Sequence, residues 1–239
     1  MTEAFSDLAL VTGLVPFGDA DWVVHFFTQR HGRLGAFAKG ARRSKRRFAG
    51  LQPLLLAQVE LRPRRGALLA LDKVEPERHP LSNVTDPVVL GRAAYLTELT
   101  TRMVPEEAPD EEVFFRLVNA IDALATKDTQ PEILRAYELQ LLQASGELLD
   151  LSRVAPCVAF DAREGVLLAE PLSGSIPFSE AARSLALLLV QADFVSLESH
   201  SHARLREVGR LFASYLRRAD LPRLKSLQYL KDLQRDLTH

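Results

Sequence analysis

Residues 20–62 read ADWVVHFFTQRHGRLGAFAKGARRSKRRFAGLQPLLLAQVELR. The stretch begins and ends in apolar runs and carries its charge in the middle. ADWVVHFFT (20–28), RLGAFAKG (33–40) and PLLLAQVELR (53–62) have the length and pattern of strands, punctuated by Gly, Pro and Asp. Working outward, LALVTGLVPF (8–17) and GALLALDKV (66–74) read the same way. Five strands in about eighty residues suit a small closed or partly closed barrel, and the five-stranded oligonucleotide-binding (OB) barrel is the leading candidate. A small SH3-like barrel is the alternative, and periodicity alone does not separate the two.

The middle of the stretch carries the chemistry. From Trp22 to Val59 there is no Asp or Glu, and six of the nine residues KGARRSKRR (39–47) are cationic. These are Lys39, Arg42, Arg43, Lys45, Arg46 and Arg47, with Arg30 and Arg33 upstream. Gly40, Ser44 and Gly50 suggest a loop between strands. Like charges this dense repel one another unless an anion lies against them. Phosphates along a nucleic-acid strand are such an anion. The blander readings are a solvated loop, a nonspecific basic tail or a localisation-like cluster. The charge is local: residues 1–80 hold 13 Lys/Arg and 8 Asp/Glu, a net of +5, whereas residues 81–239 hold 17 and 23, a net of −6. Among the nearby aromatics, Trp22 and Phe26 share a strand face with Val24 and read as core. Phe48, inside the basic loop, is the better candidate for base stacking, although a packing role is preferred for it too.

After residue 80 the period changes. Pro87–Met103, Asp110–Ala125 and Gln130–Leu149 carry apolar residues at helical spacing, and Asp110 and Thr129 are placed to cap the second and third. Residues 151–178 break that period with Pro156, Gly165, Pro171, Gly174 and Pro177, leaving a loop-rich insert with one hairpin around EGVLLAE. Helices resume at Ser179–Gln191, Ser199–Arg217 and Arg223–Leu233. The expected class is α+β. A barrel domain (1–80) precedes a helical domain (81–239), and 151–178 interrupts the latter.

Catalytic and metal chemistry find little support. There is one cysteine, Cys157, so no site needing two thiolates can form within the chain. His200 and His202 form an H-x-H pair without further ligands and read as surface residues beside a helix start. No phosphate-binding G-x-x-x-x-G-K-[ST], dinucleotide G-x-G-x-x-G or nucleophile G-x-S-x-G occurs. Cys157 follows Pro156 with no base at helical spacing and reads as a buried, inert thiol. No cofactor is expected. The N-terminus lacks a basic, apolar leader and no apolar run is long enough for a bilayer, so a cytoplasmic location is the default expectation. Arg135 stands apart: a cation within ILRAYELQLL (133–142), it could snorkel, pair with Glu138 or Glu132, or receive a carboxylate from a partner.

GRLGAFAKGARRSKRRFAGLQP (32–53) resembles the bacterial recombination mediator family RecO, in the A-K-G-A-R stretch, the basic loop and the L-Q-P that opens the next strand. GDADWVVHFFT (18–28), YLTEL (95–99), RAYELQLL (135–142) and LKSL (224–227) are similar to further family segments, in the right order. The resemblance implies an N-terminal OB domain and a helical domain with a zinc-ribbon-like insert. It also implies binding of single- and double-stranded DNA, annealing of complementary strands, and no catalysis. The implied partners are RecR and the acidic C-terminal tail of single-stranded-DNA-binding protein (SSB), and through them the loading of RecA. By the same resemblance Arg135, with Tyr137 and Leu141, falls at the SSB-tail pocket. Many members carry four cysteines in the insert; this chain keeps Cys157 alone, with Phe160 where a second would stand. The insert is therefore expected to be zinc-less and held by Val158, Phe160, Val166, Leu167 and Leu168.

Overall fold

The computed structural model describes residues 3–44, 46–128, 130–152, 156–219 and 223–236. Five strands, β1 (Phe5–Phe17), β2 (Asp21–Thr28), β3 (Gly32–Ala38), β4 (Leu56–Arg62) and β5 (Leu69–Arg78), close into a barrel in the order β1-β2-β3-β5-β4, with β4 returning to β1. All pairings are antiparallel except β3 with β5, which is parallel. That closed order is the OB fold and decides against the SH3-like alternative. β1 serves both neighbours because a bulge between Val11 and Gly13 bends it: its first half pairs with β4 and its length from Ala9 onward pairs with β2. Alternation does the rest. Along β3, Leu34, Ala36 and Ala38 point inward while Arg33, Gly35 and Phe37 lie on the outer face. Val24, Phe26, Val59, Leu61, Leu71 and Val74 complete the barrel core.

The chain divides into two compact units, residues 1–125 and 126–239. Helices α1 (Pro87–Met103) and α2 (Glu111–Thr126) group with the barrel. Asp86 caps α1 by accepting from Val88 N at 2.8 Å. Asp110 caps α2 by accepting from Val113 N at 2.9 Å, as its position in the sequence suggested. Phe27 meets Phe114 edge-on at 5.7 Å, and Gln29 Nε2 donates to Glu111 Oε1 at 2.6 Å. Gly32 is required where it stands: its φ is +69°, and a Cβ there would lie 2.4 Å from the Ala108 carbonyl oxygen.

The second unit holds α3 (Gln130–Ala144), α4 (Glu180–Gln191), α5 (His202–Arg218) and α6 (Lys225–Asp236). The expected cap Thr129 lies outside the described residues. α3 ends five residues short of the expected Leu149. Gly146 takes a φ of +72° and the chain turns back, with Glu147 N donating to Leu142 O at 2.9 Å. Gln140 Nε2 reaches from α3 to the last carbonyls of α4, at Leu189 (3.2 Å) and Ala192 (2.9 Å). Within the insert, β6 (Ala159–Asp161) and β7 (Val166–Leu168) form the expected hairpin, and β8 (Ile176–Pro177) adds a third strand on the other edge of β6. Its core is Cys157, Ala159, Phe160, Leu167 and Phe178, with the Phe160 and Phe178 rings edge-on at 5.7 Å. Val158 and Val166, expected inside, are exposed. The period-2 alternation of β7 turns Val166 outward once Leu167 faces in. Among the described residues, no helix is long and apolar enough to cross a membrane.

Candidate nucleic-acid interface

The basic run forms the connection from β3 to β4. It is a loop by hydrogen bonding yet fixed at both ends. Gly40 adopts a φ of +70° and donates its N–H to Asp21 Oδ1 at 2.7 Å. A single 3-10 turn, Ala41–Arg43, follows, and Arg42 N donates to Ala20 O at 2.9 Å. Ala41 and Phe48 are buried in the barrel core and act as plugs, while Val74 N donates to Arg47 O at 2.9 Å. The two apolar anchors leave the cations between and beside them facing solvent. Lys39, Arg42, Arg43, Arg46 and Arg47 are all exposed, and among the described residues none of them enters an ion pair. Lys45 lies outside the described residues.

Two of these cations are held by weak contacts. Arg42 Nη1 donates to Gly18 O at 3.3 Å and its guanidinium lies 5.7 Å from the Trp22 ring centre. Arg47 Nη2 donates to Lys39 O at 3.3 Å and sits 5.1 Å over the Phe48 ring. Phe48 itself is 3% exposed, so its ring is core and offers no face to a base. Packing was the preferred reading, and burial settles it. An exposed aromatic ring lies elsewhere on the barrel. Phe17, 58% exposed at the end of β1, meets the half-buried Phe37 edge-on at 5.4 Å. Arg64, on the β4–β5 connection, covers the Phe37 ring at 4.7 Å. Arg65 beside it is exposed as well. The sequence reading passed over Phe17, Arg64 and Arg65. The cue was R-P-R-R-G (62–66), a second basic turn outside the denser run.

Arg30 and Arg33 do not join the cluster. Arg30 lies in the β2–β3 turn and Arg33 near the start of β3, and five strand residues, a span of about 20 Å, separate Arg33 from Lys39. Arg30 is exposed. Arg33 is engaged: Nη1 donates to Val104 O at 2.8 Å, and Nη2 lies 3.7 Å from Glu106. Burial pushes its pKa down from the ordinary arginine value, against the pull of Glu106.

In the second unit Arg135 pairs with Glu138 at 2.6 Å, one of the alternatives its spacing left open. The Glu138 side chain is 1% exposed and that of Arg135 24%, so it is the arginine of the pair that reaches solvent. Gly209 of α5 makes room for it: a Cβ there would lie 2.6 Å from Arg135 Nη1. Tyr137 and Leu141 are core residues, 1% and 3% exposed, and support the helix rather than line an open pocket. His200 donates its backbone N–H to Glu132, and among the described residues no three His, Cys, Asp or Glu side chains are grouped to hold a metal ion. Cys157 is buried, and desolvation pushes its thiol pKa up.

The family descriptions that match this chain are "Recombination protein O N terminal" over residues 1–79 and "Recombination protein O C terminal" over residues 84–228. A DNA repair protein RecO of Anaeromyxobacter dehalogenans is 38% identical over 199 residues, 77% of this chain and 78% of that one. The DNA repair protein RecO of Myxococcus xanthus is 31% identical over 248 residues, covering 98% of this chain and all of its own. That of Geobacter sulfurreducens is 33% identical over 152 residues, 62% of this chain and 61% of its own.

Proposed function

This chain belongs to the RecO family of DNA repair proteins, and from that premise we propose that it binds single- and double-stranded DNA, anneals complementary strands, and works with RecR to load RecA on SSB-coated DNA. The observation that carries this reading is the exposed row Lys39, Arg42, Arg43, Arg46 and Arg47, none of which enters an ion pair among the described residues, on a loop pinned by Ala41 and Phe48. Annealing requires no bond chemistry. Two strands repel through their phosphates, a cationic surface lowers that repulsion, and base pairing selects the partner. Pinning matters because a mobile basic tail would lose more entropy on each encounter. Lys45 belongs to the same run, Arg30 contributes at a distance, and Arg33 adds charge while bound to Val104 O.

Phe17 and Phe37 supply faces on which unpaired bases stack, with the Arg64 guanidinium alongside. Duplex DNA hides its base faces, so it would use the cations alone. In the helical unit, the Arg135 guanidinium is the proposed contact for the carboxylate end of the SSB tail. Its contact with the buried Glu138 holds it in place, and Tyr137 and Leu141 anchor α3 in the core.

The test replaces Arg42, Arg43, Arg46 and Arg47 with Ala and follows annealing of complementary oligonucleotides, bare and SSB-coated. Four lost phosphate contacts make the plot of log K against log salt shallower by about 2.8 for single strands. Annealing at about 0.1 M salt then falls by two to three decades, while circular dichroism stays unchanged. Wild-type annealing by the variant would sink the proposal.

A further inference from the structure

The segment after residue 80 is net acidic, yet its cations are not scattered. α5 contains five arginines, Arg204, Arg206, Arg210, Arg217 and Arg218, and one acid, Glu207. Leu205, Val208, Leu211 and Phe212 bury one face of the helix. At 100° per residue, Arg206, Arg210 and Arg217 fall within about 40° of arc on the opposite face, along about 16 Å of helix. All three are exposed, and among the described residues none enters an ion pair.

Glu207 accepts the backbone N–H of Ser179 at 2.8 Å, and Glu147 pairs with Arg218 at 2.9 Å. The rest of the stripe is filled by Ala203 and Ala213. No large apolar side chain of α5 is exposed. A docking peptide would therefore find no pocket for its apolar residues, whereas a phosphate backbone needs charge alone. Arginine also suits phosphate better than lysine does, because its planar fork donates two parallel hydrogen bonds. The 16 Å run matches the rise of about five nucleotides of one B-form strand.

We propose that Arg206, Arg210 and Arg217 form a second phosphate-backbone contact, separate from the β3–β4 loop. The proposal rests on the nucleic-acid reading above and extends it: annealing brings two polyanions together, and two cationic surfaces on one chain give each strand a place.

The experiment measures binding of a short dye-labelled single strand of mixed sequence across about 50 to 300 mM salt. Arg206, Arg210 and Arg217 are changed together to Gln and, in a second variant, to Lys. Three lost contacts make the log–log slope shallower by about 2 in the Gln variant, and the Lys variant restores it. An unchanged slope in the Gln variant, with binding lost in the loop variant, overturns this contact and leaves the loop contact standing. Equal loss in the Lys variant also overturns it, since charge would not be the cause. So does an unchanged slope accompanied by lost binding of a dye-labelled Asp/Glu peptide, which would make α5 a peptide site. Absence of DNA binding by the wild-type chain would refute the nucleic-acid reading itself.

Discussion

Arg135→Ala removes a side chain with two roles that the structure separates. Glu138 is 1% exposed on its side chain, and the Arg135 guanidinium lies 2.6 Å from its carboxylate. Removing one partner of a buried pair takes a contact from a charge in a medium that solvates it poorly, at a cost of up to about 3–5 kcal/mol. Arg135 is itself a quarter exposed, which admits water and places the cost near the lower figure, about 3 kcal/mol. For a chain of this length that corresponds to a fall in Tm of roughly 6–12 °C. Circular dichroism melts of Arg135→Ala, Glu138→Leu and the double variant Arg135→Met with Glu138→Leu would measure it. The double variant removes both charges and should regain most of the loss, since an apolar replacement of a buried pair is often neutral. A fall of less than about 1 kcal/mol in Arg135→Ala, or a double variant no more stable than the singles, would refute the argument. The consequence for function is direct. Lost tail binding in Arg135→Ala is informative only well below its Tm, and Arg135→Lys, which keeps the charge but not the fork, is the cleaner probe of carboxylate recognition.

Other outcomes follow from the same geometry. Phe48→Ala empties a core position and costs about 3–5 kcal/mol by chemical denaturation, whereas Phe17→Ala leaves stability within about 0.5 kcal/mol. Phe17→Ala instead weakens single-strand binding by about 1–3 kcal/mol with duplex binding unchanged. Cys157, its pKa raised by burial, stays a neutral thiol at mildly alkaline pH and should resist alkylation until denaturant is added. The Arg183 guanidinium holds the Glu180 carboxyl below its ordinary value, and Glu180 also accepts the Cys157 N–H at 3.1 Å. A lowered folded pKa stabilises above the unfolded value of about 4.3 and stops doing so as pH falls through the folded one. Hydrogen exchange in the insert should therefore distinguish Glu180→Gln from wild type at neutral pH, and the difference should vanish in strong acid.

Much of the fold is legible in local sequence patterns. The alternation in β3 and the stripe of Val113, Phe114, Leu117 and Ile121 in α2 are local patterns, and both elements are where those patterns put them. The basic loop was equally plain, because an acid-free stretch of dense cations is a property of composition. The misreadings share one cause. Gly146 ends α3 early through backbone bonds that the apolar period does not encode. Val158 and Val166 have apolar side chains, but which face of a three-residue strand turns inward depends on Phe160, Leu167 and Phe178 meeting. The net charge of −6 after residue 80 concealed the arginines of α5, because a sum carries no angular information.

The chain's order of residues was enough to establish strands before helices, a cationic loop and family membership, since each depends on neighbours within a few positions. Closure of the barrel in the order β1-β2-β3-β5-β4 was a tertiary matter, as was the choice between OB and SH3-like folds, because strands of the same period can pair in more than one order. Burial was too. Phe48 sits among cations in sequence yet in the core in space, Phe17 ends a strand yet is exposed, and Arg135 met Glu138 rather than Glu132. A side chain's environment is set by elements far away along the chain, and only folding brings those elements together.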